Sequence, residues 1–395
     1  MSRVLVSVTG SAGDLFPIIP IVLRLKAEGH DVQCAVSRPL SLYMRHLSLP
    51  VHCLDQARIA ETIRRPAPLT TRFDGWESVR HLVDPFLAGS LSDQVASLER
   101  LTSGWAPDLV VASSFAAPAR IVAYRRGIPQ RTVSIYPQVA RLQYATKFGR
   151  RFRRLCLDLA GLPAHDVDSP IVGDLAWGVS ETTIWLHDAA LLRSAAGVGV
   201  TALPSQRVVG FPYWDEGLRQ TAEEEAIRRW LARSRTPAVM VTMGSHLGAS
   251  QSALWRLIAE TVQGLGIRGV YLGPRRAIEE ALADCDGDWY IARFIRLSQI
   301  AGAVSAVVHH GGVGTMFGVI RAGKPAVVLP LAYDQTFNAR MVEAAGVGLQ
   351  VGAKTLHASL DRLLADPSFE DRCQALSTEL TPAASAALRA VEELR

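Results

Sequence analysis

Val307-Val-His-His-Gly-Gly-Val-Gly-Thr-Met-Phe317 joins an apolar run, a glycine loop and a helix start. Ser305 to Val308 reads as the end of a buried strand, and Gly311, Gly312 and Gly314 as a loop. Thr315 to Ala322 reads as a helix that Gly323 ends. Free backbone N–H groups at such a helix start converge on one spot, and the helix dipole favours negative charge there. Glycine lets an anion approach the backbone, because no Cβ stands in the way. His310 before the loop and Thr315 at the helix start are candidate donors to phosphate oxygens. A generic glycine turn is the plain alternative.

The next strand is Lys324-Pro-Ala-Val-Val-Leu-Pro330, short, apolar and bounded by proline. Asp334 and Gln335 follow in the loop at its carboxyl end, before a helix that runs to Ala345 and stops at Gly346. Ligands of open α/β sheets bind outside the carboxyl ends of strands. A carboxylate and an amide there suit a ligand with several hydroxyls. The alternative for Asp334 is an N-cap. The N-terminal half has its own strand-end loop, Thr9-Gly-Ser-Ala-Gly-Asp14-Leu-Phe-Pro17. Ser11, Gly13 and Asp14 occupy it, and a carboxylate at its tip would repel phosphate. Asp14 is therefore a candidate base or binder of hydroxyls, with an N-cap as its alternative.

Continuous Val/Ile/Leu runs suit parallel strands buried on both faces. Such runs occur at Arg3–Thr9, Asp31–Val36, Val51–Leu54, Leu109–Ala112, Gln130–Ile135, Thr183–Leu186 and Arg207–Val209. The alternation restarts at Pro237–Met243 and continues at Gly269–Leu272, Trp289–Ala292, Ala303–His309, Ala326–Leu329 and Leu349–Val351. Gly244 and Ser245 end the first of these. Two Rossmann-like βαβ domains facing across a cleft are predicted. The boundary lies near residue 212, in Gly210-Phe-Pro-Tyr-Trp-Asp-Glu-Gly217 and the acidic Glu223-Glu-Glu225. This gives residues 1–212 and 213–377, with a C-terminal helix, about 378–395, packing back on the first. Residues 57–98, rich in Arg, Pro and Trp, read as loops and irregular helices over the cleft.

The 395 residues carry a net charge of +5, with 49% hydrophobic and 20% charged residues, which is ordinary globular composition and no nucleic-acid footprint. Arg141 to Arg154 mixes six basic residues with Leu142, Tyr144, Phe148 and Phe152. It is either a solvated surface helix or a peripheral membrane contact. The five cysteines are scattered and read as free thiols in a reducing compartment. The chain enters a strand at once, with no signal pattern and no apolar run of about 18 residues, so a cytoplasmic protein is expected. Asp284-Cys-Asp286-Gly-Asp288 superficially fits a metal chelate but reads as an acidic surface loop, and no metal site is expected.

Taken together, His310-x-Gly312-x-x-Thr315, Gly323-x-Pro325, Asp334-Gln335 and Gly244-Ser245 resemble the nucleotide-sugar glycosyltransferases of the GT-B fold. The similarity is to the UDP-glucuronosyl, macrolide, glycopeptide and sterol superfamily. Gly10-Ser-Ala-Gly-Asp-Leu-Phe-Pro17 also resembles the start of bacterial rhamnolipid rhamnosyltransferases. The resemblance implies an inverting, metal-independent transfer of a sugar from a UDP or dTDP donor to a hydroxyl of a lipophilic acceptor, such as a natural-product aglycone. The nucleoside-diphosphate sugar is then a co-substrate, and no cofactor is implied.

Many relatives carry His-x-x-Pro in the first loop, with His as general base and an Asp that orients it. Here the sequence has Asp14-x-x-Pro17, and the strand end Val110-Val-Ala-Ser113-Ser114 offers serine instead of that Asp. The resemblance makes Asp14 the base. It gives the diphosphate to Gly244, Ser245, His310, Gly312, Gly314 and Thr315, and the sugar to Asp334 and Gln335. The usual Trp-x-Pro nucleobase element is Phe294-Ile-Arg296 here, with Phe294 to stack and Ile295 to offer backbone groups. Core packing is the alternative for Phe294. Competing functions are a glycolipid-forming rhamnosyltransferase, an epimerase or phosphorylase on the same fold, and a nucleotide-sugar binder without turnover. The sugar, the nucleobase, the acceptor and the oligomeric state are not legible.

Overall fold

The computed structural model describes residues 1–45, 47–54, 90–136, 147–178, 183–198, 207–215, 222–244, 252–331 and 334–395. Its strands form two all-parallel sheets. The first holds β1 (Arg3–Val8), β2 (Asp31–Ser37), β3 (Val51–Leu54), β4 (Leu109–Ser113), β5 (Gln130–Ser134), β6 (Ile184–Trp185) and β7 (Arg207–Val208). Their order is β3-β2-β1-β4-β5-β6-β7. The second holds β8 (Ala238–Thr242), β9 (Arg268–Leu272), β10 (Trp289–Ala292), β11 (Ala306–His309), β12 (Ala326–Val328) and β13 (Gly348–Gln350), in the order β10-β9-β8-β11-β12-β13. The two orders match strand for strand, apart from the extra β7.

Burial on both faces explains the unbroken apolar runs. Val4, Val6 and Val8 of β1 enter one buried cluster, while Leu5 between them enters another. In the second sheet Val239 and Val241 face one layer and Met240 the other. Successive strand side chains point to opposite faces, so each sheet needs helices on both sides. One apolar cluster is continuous across the two sheets' layers, containing Val6, Leu186, Phe211, Met240 and Phe317 together. Phe211 stacks on Phe317 at 4.4 Å, and His187 meets the same ring edge-on at 5.1 Å. Helix Ala383–Leu394 lies against helix Ile19–Ala27, and Arg395 pairs with Glu28 at 2.8 Å.

In each sheet the strand order reverses direction between the first strand and the fourth. That places the ligand crevice at the carboxyl ends of β1 and β4 in one sheet, and of β8 and β11 in the other. The topology thus brings the Gly10–Asp14 loop beside Ser113, and Gly244 beside His310.

Some local expectations change. The helix after β11 spans Val313–Arg321, so it begins two residues before Thr315 and takes Gly314 out of the loop into its first turn. Glu223–Glu225 is no linker but the first turn of helix Ala222–Ala232, where carboxylates complement the helix dipole. Leu91–Gly104 is one regular helix, while residues 55–89, expected to cover the cleft, lie outside the described residues. The basic stretch forms helix Lys147–Ala160, with its residues 141–146 outside the described set. Phe152 and Cys156 are buried in the core beside Trp177. Arg153 is buried too, donating to the carbonyls of Val167 and Ser169.

Candidate active site

The first half of the site is built at the end of β1. Ser11 is the N-cap of the short helix Ala12–Leu15, and Asp14 is its third residue, in a reciprocal capping box. Asp14 is therefore not the N-cap. Its Oδ2 accepts from the Ser11 N–H at 2.7 Å and the Ser11 hydroxyl at 3.0 Å. Its Oδ1 accepts from the Tyr136 hydroxyl at 3.0 Å. Gly10, at φ +133°, has no Cβ because one there would collide with this carboxylate. Asp14 is only 5% exposed. Burial raises its pKa above the ordinary carboxylate range, against the lowering effect of Ser11 and Tyr136. Gly13 donates its N–H to the Ser11 hydroxyl, so Ser11 and Gly13 serve the helix start.

Tyr136 carries no motif and was not legible beforehand. It is placed by a chain of hydroxyls: Ser114 donates to Ser134 at 2.7 Å, and the Tyr136 N–H donates to Ser134 Oγ at 3.1 Å. Ser114, at the end of β4, is thus linked through Ser134 to the tyrosine that contacts Asp14. Ser113 itself accepts from the Thr9 N–H at 3.3 Å. Arg120, fully buried, donates to the carbonyls of Ser113 and Ser114 at 2.7 Å each, and burial lowers its pKa to about 10. It fixes this strand end from beneath.

The second half is built at the ends of β8, β11 and β12. Gly312 precedes helix Val313–Arg321 and has no side chain to cap it, so the N–H groups of Val313, Gly314 and Thr315 belong to a helix start without a side-chain cap. The His310 ring lies between two glycines. A Cβ on Gly244 would come 2.7 Å from its Nε2, and one on Gly312 would collide with the same atom. This is why Gly244 and Gly312 flank the same histidine. Ser245 lies outside the described residues. His309 faces the core: burial, aided by His310, lowers its pKa to about 3, and its Nδ1 accepts the Gly311 N–H at 3.0 Å.

Asp334 stands at the N-cap position of helix Gln335–Ala344 but makes no capping bond with its side chain. Its Oδ2 instead accepts from Asn338 Nδ2 at 2.7 Å. Burial raises its pKa to about 7, and the Asp14 carboxylate adds like-charge repulsion. Gln335 Oε1 accepts the Leu331 N–H at 2.8 Å, holding the loop ahead of Asp334. Asn338 had a signal in the sequence: it lies four residues after Asp334, on the same helix face.

Phe294 is 46% exposed, so it is a surface ring and not core, whereas Ile295 is buried. Arg296, in place of the usual proline, is tied by its N–H at 3.0 Å and its guanidinium at 2.8 Å to the buried Glu224. The Ser298 N–H donates to Asp215 at 2.9 Å, which pins the same segment to the chain joining the two sheets. The Asp284–Asp288 loop precedes β10, at the edge of the sheet opposite the glycine loops. Asp288 is engaged by Arg268 at 2.8 Å and Trp230 at 2.9 Å, and Asp284 pairs with Arg256 at 3.3 Å. Among the described residues, no helix is long and apolar enough to cross a membrane.

Residues 276–390 match the family described as Erythromycin biosynthesis protein CIII-like, C-terminal domain. The vancomycin aglycone glucosyltransferase of Amycolatopsis orientalis is 25% identical over 98% of this chain and 93% of its own length. The crystal structure of the kitacinnamycin glycotransferase superposes with a TM-score of 0.74 at 20% identity, covering 99% of this chain and 97% of that one. The spinosyn rhamnosyltransferase complexed with thymidine diphosphate superposes at 0.70 and 20% identity, covering 99% and 100%. The chain is thus a homologue of the glycosyltransferases of antibiotic pathways, with the GT-B fold and an erythromycin CIII-like C-terminal domain.

Proposed function

We propose that this chain is an inverting glycosyltransferase that moves a sugar from a dTDP or UDP donor to a hydroxyl of a lipophilic natural-product acceptor. The observation that carries this is the buried Asp14 carboxylate, held by Ser11 and Tyr136 at the end of β1, together with the glycine-capped start of helix Val313–Arg321 and the buried Asp334 bound to Asn338 at the end of β12. A pure binder has no use for a buried carboxylate at the first strand-end loop. The spinosyn rhamnosyltransferase has been solved with thymidine diphosphate and with its aglycone, which supports the same pairing of substrates here. Residues 1–212 form the acceptor half, residues 213–377 the donor half, and the last helix packs back on the first.

The diphosphate lies on the N–H groups of Val313, Gly314 and Thr315, between Gly312 and Gly244, with His310 as a further donor. Phe294 stacks on the nucleobase, and Ile295 offers its backbone. Asp334 and Gln335 take the sugar hydroxyls. The acceptor oxygen attacks the anomeric carbon from the face opposite the diphosphate. The bond to the diphosphate oxygen breaks with its electron pair, the configuration inverts, and the acceptor proton passes to Asp14. The preorganised N–H groups and the helix dipole stabilise the charge that develops on the leaving diphosphate. Raising the pKa of Asp14 by burial makes it a better base while it remains an acceptor.

The test is a thermal-shift panel of nucleoside diphosphates, followed by transfer assays in excess chelator. A diphosphate at about 100 times its Kd should stabilise the fold by about 2.7 kcal/mol. Transfer should survive chelation. No shift with any nucleoside diphosphate, or activity that requires added Mg²⁺ or Mn²⁺, would count against the donor site.

A further inference from the structure

One side-chain amide joins the two parts of the donor site. Asn338 is 1% exposed on helix Gln335–Ala344, and its Nδ2 donates both to Asp334 Oδ2 at 2.7 Å and to the Gly311 carbonyl at 2.8 Å. A side-chain amide has two N–H donors, so both are committed. Gly311 is held from the other side by its own N–H on His309 Nδ1. Its φ of +93° is one that side chains rarely adopt, and a Cβ there would come 2.9 Å from the Gln335 carbonyl. The turn that opens the anion site is thus clamped between β11 and the helix that carries Asp334. Asn338 closes the clamp.

We propose that Asn338 is a positioning residue that locks the Asp334 carboxylate to the Gly311 turn, so that sugar and diphosphate are held in one fixed register. This rests on the roles given above to Asp334 and the glycine loop. Asn338 occupies Oδ2 and so aims the Asp334 carboxylate. Without the amide, Asp334 is free to rotate while the first-turn N–H groups of helix Val313–Arg321 remain. The penalty should therefore fall on transfer and sugar discrimination, and little on the affinity for free nucleoside diphosphate.

The experiment compares Asn338→Ala, Asp334→Ala and the double variant. It measures kcat and KM for two donors that differ in one sugar hydroxyl, with a calorimetric Kd for the free diphosphate. Asn338→Ser, which keeps a small polar group, replaces the alanine variant if that one does not fold. Asn338→Ala should lose roughly 10- to 100-fold in kcat, the range set by one hydrogen bond to a charged group. It should blur the two donors and leave the diphosphate Kd within a few-fold of wild type. In the Asp334→Ala background the same change should do far less, because the two residues act as one unit. Unchanged discrimination in Asn338→Ala, or losses that multiply in full in the double variant, would overturn the positioning role. If Asp334→Ala itself leaves discrimination intact, it is the sugar-binding role of Asp334 that fails.

Discussion

Asp14→Asn separates catalysis from capping. The Asp14 carboxylate accepts three hydrogen bonds, two from Ser11 at 2.7 and 3.0 Å and one from Tyr136 at 3.0 Å. An asparagine can keep all three contacts. Its oxygen takes the two Ser11 donors, and its NH₂ donates to the Tyr136 oxygen, since a phenol both donates and accepts. What disappears is the charge. The folded-state pKa of Asp14 is raised, so its ionised form costs the native state stability. The stability that this carboxyl contributes is present below its unfolded pKa and is lost as pH rises through its folded pKa. At neutral pH the asparagine variant should therefore melt at or above wild type, with the gap closing in acid. Transfer should fall roughly 10²–10⁴-fold, or about 3–5 kcal/mol of transition-state stabilisation, the range for a lost general base. Single-turnover transfer and melting curves from pH 4 to pH 8, a span that brackets ordinary carboxylate titration, measure both. Near-normal transfer would mean that Asp14 serves only the capping box. The base would then be sought at His52 on β3, which bonds Gln33 on β2, at His46 or His81, which lie outside the described residues, or on the acceptor. A sharp fall in melting temperature would refute the hydrogen-bond accounting.

Tyr136→Phe removes a donor that lowers the pKa of Asp14, so the acid limb of the kcat/KM profile should move to higher pH; a limb that stays in place would cut Tyr136 off from the base. His310→Ala should weaken nucleoside diphosphate binding roughly 10- to 100-fold in calorimetry, the range for one hydrogen bond to a charged group, without unfolding the protein. Unchanged affinity and turnover together would remove His310 from the site. Asp334, held up to about 7 by burial, should give wild type a donor-dependent rate that rises as pH climbs through that value. Asp334→Asn should flatten the rise, and its melting advantage should grow with pH, because the raised carboxyl costs stability once ionised. A pH dependence unaltered in the variant would sink this.

The alternation of Val/Ile/Leu runs with helical segments sufficed for the two parallel sheets, because strands buried on both faces are mostly apolar along their length and so stand out in the sequence. Gly311 and Gly312 were legible for a similar reason: backbone that must approach an anion tolerates little else. Element ends were less so. Gly314 and Thr315 fall inside the helix because, in the absence of a capping side chain, propensity alone does not fix its first turn. Glu223–Glu225 read as linker because a helix N-terminus and an exposed acidic run share a composition. Only the tertiary structure could supply Tyr136, which reaches Asp14 from 122 positions away. The same holds for Glu224, which binds Arg296 across 72. Contacts between elements distant in sequence leave no periodicity to read. They exist because the strand order sets the ends of β1 and β4, and of β8 and β11, side by side. The residue types of the site are written in the sequence; their convergence is decided by the order in which the strands pair.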